Sequence, residues 1–119
     1  MQSSKPNNQN ISVKKNLPME TRDGTLLRSD VYKPSLHGSW PVLLQRTPYD
    51  KASKSNVKTA RDLASRGYIV VVQDIRGRYA SDGEFIWQFR DNTDTFDAND
   101  GYDTVEWASN FPGSDGQVG

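Results

Sequence analysis

Residues 11–20 and 26–32 are two short runs in which apolar and polar side chains mix, with Thr21-Arg22-Asp23-Gly24 between them. Asp-Gly in that place predicts a hairpin turn, because glycine takes the positive φ that a tight turn demands. An antiparallel pair follows. Pro34 fixes its own φ and offers no N–H to a ladder, so it closes the second strand, and residues 35–40 form a polar connection.

The pattern changes after Pro41. Val42-Leu43-Leu44 is an unbroken apolar run, which predicts a strand covered on both faces rather than one facing water. Over residues 56–66, Val57, Ala60, Leu63 and Ala64 recur at helical spacing, with Asn56 placed to cap the start and Gly67 to stop the end. Tyr68-Ile69-Val70-Val71-Val72-Gln73 then reads as a second buried strand. Strand, helix and strand with short joins make a βαβ unit, a parallel pair with a right-handed crossover, so the expected fold class is α/β.

Asp74 opens a long loop through residues 76–83, and the aromatic residues Phe85, Trp87 and Phe89 follow it. A helix is predicted over residues 97–109, with Tyr102, Val105 and Ala108 on its apolar side. After Phe111-Pro112-Gly113, a third parallel strand is expected to begin. A parallel sheet needs cover and neighbours, so the sequence predicts an open sheet edge, self-association through it, and a truncated domain.

The 119 residues bound the chain to one small domain, read as residues 13–119 behind a disordered tail at residues 1–12. That tail is rich in Asn, Gln and Ser and lacks the apolar run of a secretory signal. No stretch approaches the roughly 18 consecutive apolar residues of a membrane span, so a cytoplasmic protein is expected. Hydrophobic residues make up 34% of the chain and mean hydropathy is -0.81, which predicts a thin core. Fifteen basic and fifteen acidic side chains cancel. This removes the positive footprint of a nucleic-acid or anionic-membrane binder and leaves a small molecule or another protein as partner. With no cysteine, disulfides, thiolate metal sites and a Cys nucleophile are excluded.

Candidate chemistry is sparse. A serine nucleophile on a strand-to-helix elbow needs G-x-S-x-G, and no segment has it. Tyr79-Ala80-Ser81-Asp82-Gly83 comes nearest but has Tyr at the first Gly position, so Ser81 reads as a loop serine bonding backbone groups. Ser114 follows Pro112 and reads as a turn residue, and His37, the only histidine, as part of a surface loop. The crossover loop at residues 46–51 has no glycine to admit a pyrophosphate, and Glu84 stands where a phosphate loop needs lysine. Asp97, Asn99 and Gly101 hint at a calcium loop, but its sixth position is Tyr102, not glycine. Asp91, Asp94, Asp97, Asp100, Asp103 and Glu106 recur at every third position. On a helix such residues drift by about 60° per step, which predicts a solvated acidic surface and no metal site. No cofactor is expected.

Three segments, in order, carry a family resemblance: Arg46-Thr47-Pro48-Tyr49-Asp50-Lys51, then Gln73-Asp74-Ile75-Arg76-Gly77 with Ala80-Ser81-Asp82-Gly83-Glu84-Phe85, then Asp100-Gly101-Tyr102-Asp103-Thr104-Val105-Glu106-Trp107. With them the chain resembles, over residues 17–119, the peptidase S15 family, which joins X-Pro dipeptidyl-peptidases with cocaine esterase-like acyl hydrolases. The resemblance implies a partial α/β-hydrolase fold, an antiparallel hairpin followed by a βαβ unit, truncated before the nucleophile elbow. In the family, the segment like Asp115-Gly116-Gln117-Val118-Gly119 leads into that elbow, the triad's Asp and His come much later, and a helical cap and a jelly-roll domain complete the acyl pocket. The chain is therefore expected to be the N-terminal part of a serine hydrolase, inactive alone. Its substrate in the full-length enzyme would be an ester or an X-Pro dipeptidyl amide. By the same resemblance Tyr49 is the one catalytic residue present, a hydroxyl donor to the oxyanion hole. Asp50, Lys51, Asp74 and Arg76 are read as residues that hold loops, with no chemical role. The rival expectation is a non-catalytic binding module, or a split subunit whose partner chain carries the nucleophile.

Overall fold

A computed structural model describes residues 11–83 and 96–119. In chain order these form β1 (Ile11–Glu20), β2 (Leu26–Pro34), β3 (Trp40–Thr47), α1 (Lys54–Ser65), β4 (Ile69–Asp74), α2 (Phe96–Ser109) and β5 (Ser114–Val118). The predicted hairpin is present: β1 pairs antiparallel with β2, and Ile11 and Ser12 sit opposite Pro34 and Lys33. The first strand thus takes in two residues assigned to the tail. Between Lys14 and Leu17 the register slips at a bulge, and Asn16 there adopts φ 57°. Phe85, Trp87, Phe89, Asp91 and Asp94 lie outside the described residues.

The strands form one mixed sheet in the order β1-β2-β4-β3-β5. β2 and β4 are antiparallel; β3 runs parallel to β4 on one side and to β5 on the other. The α1 crossover moves the chain from β3 to β4, and the α2 crossover moves it back past β3 to β5. Right-handed crossovers in opposite directions put their helices on opposite faces of the sheet. The packing agrees with that rule. Val70 and Val72 of β4 are buried with Tyr32, Ala60 and Ala64 on the α1 face, while Ile69 and Val71 are buried with Val31, Val42 and Ala108 on the α2 face. Alternate side chains of one strand therefore anchor both layers, and each fully buried valine or isoleucine contributes about 1.5–3 kcal/mol.

Helix α1 begins earlier than the spacing alone suggests. Its N-cap is Ser53, whose side chain accepts the Asn56 N–H, so Asn56 is an interior residue and not the cap. At the other end Gly67 takes φ 101°, the left-handed conformation that ends a helix without a Cβ clash.

The inward face of α2 also differs from expectation. Tyr102 and Val105 are exposed, whereas Asp100, Thr104 and Ala108 are fully buried. These three are spaced i, i+4, i+8 and form one stripe on the sheet. Two of them are polar because the sheet beneath presents polar groups: Gln73 Oε1 accepts from Arg46 Nε at 2.8 Å and lies 3.1 Å from the Thr104 hydroxyl. That hydroxyl donates to the Asp100 carbonyl. The acidic series along α2 is accordingly not a uniformly solvated surface, since Asp100 faces inward.

Candidate active site

The parallel strands β3, β4 and β5 end at one edge of the sheet, and open α/β sheets bind ligands beyond the carboxyl ends of their strands. There β3 leads into Thr47-Pro48-Tyr49-Asp50-Lys51. Tyr49 is 65% exposed, and its hydroxyl has no hydrogen-bond partner among the described residues. The backbone on either side of it is fixed. The Tyr49 N–H donates to Thr47 Oγ1 at 2.9 Å, and the Ile75 N–H donates to the Thr47 carbonyl at 3.1 Å. Asp50 stands at φ 62°, a conformation that L residues adopt at a cost, and several bonds hold it there. Its carbonyl accepts from the Ser53 N–H and from Asn56 Nδ2, and its Oδ1 accepts the Ala52 N–H.

Lys51 closes the loop from beneath. Its N–H donates to Asp74 Oδ1 at 2.8 Å, and its ammonium lies 3.2 Å from Asp30 Oδ1 and 3.5 Å from Asp74 Oδ2. The same ammonium donates to Asn16 Oδ1 at 2.6 Å. All three charged side chains are at most 5% exposed. Asn16, at the β1 bulge, also donates its N–H to Asp30 Oδ1. Asp74 therefore serves two loops: its Oδ2 accepts the Ala80 N–H from the loop after β4.

A second cluster ties the hairpin turn to α2. Arg76 grips Asp100 with two N–H groups at 2.8 and 2.9 Å, and reaches Thr25 Oγ1 and both Asp23 oxygens at 2.9–3.1 Å. The bonds from Arg76, and then from the Thr21 hydroxyl, hold the Asp23 carboxyl well below the usual carboxylate range. The Asp100 and Asp23 carboxylates in turn hold Arg76 above the ordinary arginine value. Arg22 binds Asp103 through its side chain and its backbone N–H and lies over the Tyr102 ring at 5.7 Å. The Arg22 hydrogen bond lowers the Asp103 carboxyl.

The profile described as X-Pro dipeptidyl-peptidase (S15 family) matches residues 23–119. The chain belongs to this family. Cocaine esterase from Rhodococcus sp. (strain MB1 Bresler) is 39% identical over 114 residues, which cover 92% of this chain and 19% of the esterase. The chain thus spans about a fifth of the length of that relative. Among solved structures, an aminopeptidase from a marine sediment archaeon, Thaumarchaeota archaeon, superposes with a TM-score of 0.73 at 28% identity, covering 99% of this chain and 22% of the other. An α-amino acid ester hydrolase gives 0.75 at 24% identity, with 99% and 22% covered. Brefeldin A esterase gives 0.62 at 20% identity, with 84% and 27% covered. The latter two likenesses show the fold, an α/β hydrolase.

Within this S15-family chain the remaining serine and histidine candidates fall into structural places. Ser81 is 7% exposed; its hydroxyl donates to the Asp74 carbonyl and accepts the Arg28 N–H. Ser114 opens β5 and is not the turn residue expected; its Oγ accepts the Gly116 N–H at 3.0 Å. His37 is exposed in the loop between β2 and β3, at the edge opposite Tyr49, because β2 passes the start of β4 with Tyr32 beside Val70. Asp30, Asn16 and Asp23 were not singled out from sequence, and an Asp in a strand of otherwise buried pattern was the one available sign for Asp30. No described helix is long and apolar enough to cross a membrane.

Proposed function

We propose that this chain is the N-terminal scaffold of a serine acyl hydrolase, in which Tyr49 donates its hydroxyl to the oxyanion. The substrate of the whole protein is an ester or an X-Pro dipeptidyl amide. The observation that carries the reading is a register. The Gly119 N–H donates to the Val42 carbonyl and its carbonyl accepts the Leu44 N–H, so Gly119 lies level with Leu43, four places before Thr47. A strand continued in that register emerges beside the Tyr49 loop, at the edge where a nucleophile elbow stands in this fold.

When a serine hydroxyl there attacks an acyl carbonyl, negative charge gathers on the carbonyl oxygen. A phenol O–H fixed in advance strengthens its hydrogen bond to that oxygen as the charge grows, and so favours the transition state over the bound substrate. Nucleophile, general base and its orienting carboxylate are supplied by the rest of the hydrolase. This chain supplies the scaffold and one donor.

The isolated chain is expected to turn over no p-nitrophenyl acyl ester and to take no fluorophosphonate label. In the complete hydrolase, Tyr49→Phe is expected to lower kcat about 100-fold with little change in KM, the size typical of one oxyanion donor. Labelling of Ser81 or Ser114 would overturn the reading. A second reading rests on β5, which has β3 on one side and no neighbour on the other among the described residues: the chain is a split subunit or non-catalytic binding module whose partner adds the next strand. It predicts association in size-exclusion chromatography and no gain of activity when the reading frame is extended past Gly119.

A further inference from the structure

The geometry points to Lys51 as a positioning residue for the Tyr49 hydroxyl, an inference that rests on the oxyanion reading of Tyr49. Tyr49 is exposed and nothing on its own side chain holds it, so what places its phenol is the backbone that sets the origin and direction of the Cα–Cβ bond. That backbone is pinned at two places, each two residues away. On the N-terminal side the pin is Thr47, through its Oγ1 and its carbonyl. On the C-terminal side it is Lys51, and this pin is the stronger.

Lys51 is held at both ends of its length. Its N–H is bound by Asp74 Oδ1 and its ammonium by Asp30, Asp74 and Asn16. One cation between two carboxylates, all nearly excluded from water, cannot drift without leaving two buried anions facing each other. Asp30 and Asp74 belong to β2 and β4, two adjacent strands near the middle of the sheet. The loop is thus tied to two fully buried side chains of the sheet, and Asp50 between Tyr49 and Lys51 is kept at its positive φ. An exposed donor needs such a frame, because a misplacement of about 1 Å costs on the order of 100-fold in rate.

The test is a double-mutant cycle in the complete hydrolase, on Tyr49→Phe, Lys51→Met and the pair, with kcat and KM measured separately well below each variant's unfolding temperature. If Lys51 acts through Tyr49, Lys51→Met lowers kcat by about 10- to 100-fold with KM little changed, and the pair is no slower than Tyr49→Phe alone. If the two losses multiply, or if folded Lys51→Met keeps its kcat, the inference is wrong while the oxyanion reading stands. If Tyr49→Phe itself leaves kcat unchanged in an active enzyme, the oxyanion reading fails first. Should Lys51→Met not fold, Asp30→Asn takes its place in the same cycle. It removes one of the two carboxylate charges and leaves the Asp74 pair, and the same non-additivity is required with a smaller drop, about 3- to 10-fold. Full activity in folded Asp30→Asn, or losses that multiply in the pair with Tyr49→Phe, would overturn the inference equally.

Discussion

Ser81 spends its hydroxyl on two backbone groups of different strands, the Asp74 carbonyl and the Arg28 N–H. Replacing it with alanine leaves both without that partner in a site almost closed to water, so Ser81→Ala is expected to lose about 1–3 kcal/mol in urea denaturation. A loss below about 0.5 kcal/mol would mean that water reaches these groups and takes the serine's place. Gly83 stands nearby at φ 97°, and a Cβ there would lie 2.7 Å from Arg76 Cγ. Gly83→Ala therefore adds backbone strain to displacement of the arginine that grips Asp100, and the expected destabilisation is about 2 kcal/mol, seen as a lower urea midpoint. The structural role of Ser81 was legible in the sequence because the first glycine of an elbow was missing. Its partners were not legible, since Arg28 comes from a strand more than fifty residues earlier in the chain and nothing local announces it.

At the level of elements, what could be read was whatever depends on near neighbours. Asp-Gly placed the hairpin turn, the run from Ile69 to Val72 placed the central strand, and the helical spacing between two apolar runs placed the first crossover. Helix α2 shows where such reading stops. Its apolar residues Tyr102 and Val105 point to water while Asp100 and Thr104 face the sheet, because the groups that meet them, Arg76 and Gln73, arrive from the loop after β4 and from β4. Hydrophobic spacing alone carries no information about those partners. The reversed face makes a sharp prediction. Asp100→Ala removes the carboxylate that Arg76 grips from a side chain only 12% exposed, and should cost about 3 kcal/mol, near the lower end for breaking a buried pair. Val105→Ala should stay within about 0.5 kcal/mol, as for exposed positions generally. Urea denaturation of the two variants side by side decides it: equal losses would restore Val105 to the core and contradict the orientation of the helix.

On the scale of the whole molecule, the turn of the first hairpin is joined to α2, and Arg22 and Asp103 bond across 81 residues of chain. The joint consists of two arginines and three aspartates, and its response to acid follows from their displaced ionisations. Arg22 and Arg76 are both held above the ordinary arginine value, so they stay charged throughout and only carboxylates titrate. Asp23 and Asp103 are both depressed, chiefly by hydrogen bonds from those arginines. A carboxyl that is more acidic in the folded than in the unfolded state stabilises the fold above the unfolded-state value of about 3.9, and that contribution disappears as pH falls through the depressed native value. Thermal unfolding followed in low-salt buffers should therefore show a flat midpoint from pH 7 to about pH 5 and a progressive fall below it. Asp23→Asn with Asp103→Asn should flatten the fall and lower the plateau, since an amide keeps the shape but not the charge. Because Arg22 and Asp103 meet at the surface, salt near 1 M should weaken the same dependence, the screening length there being about 3 Å. A wild-type midpoint that stayed level down to pH 2 would show that these ion pairs contribute nothing to holding the first hairpin against α2.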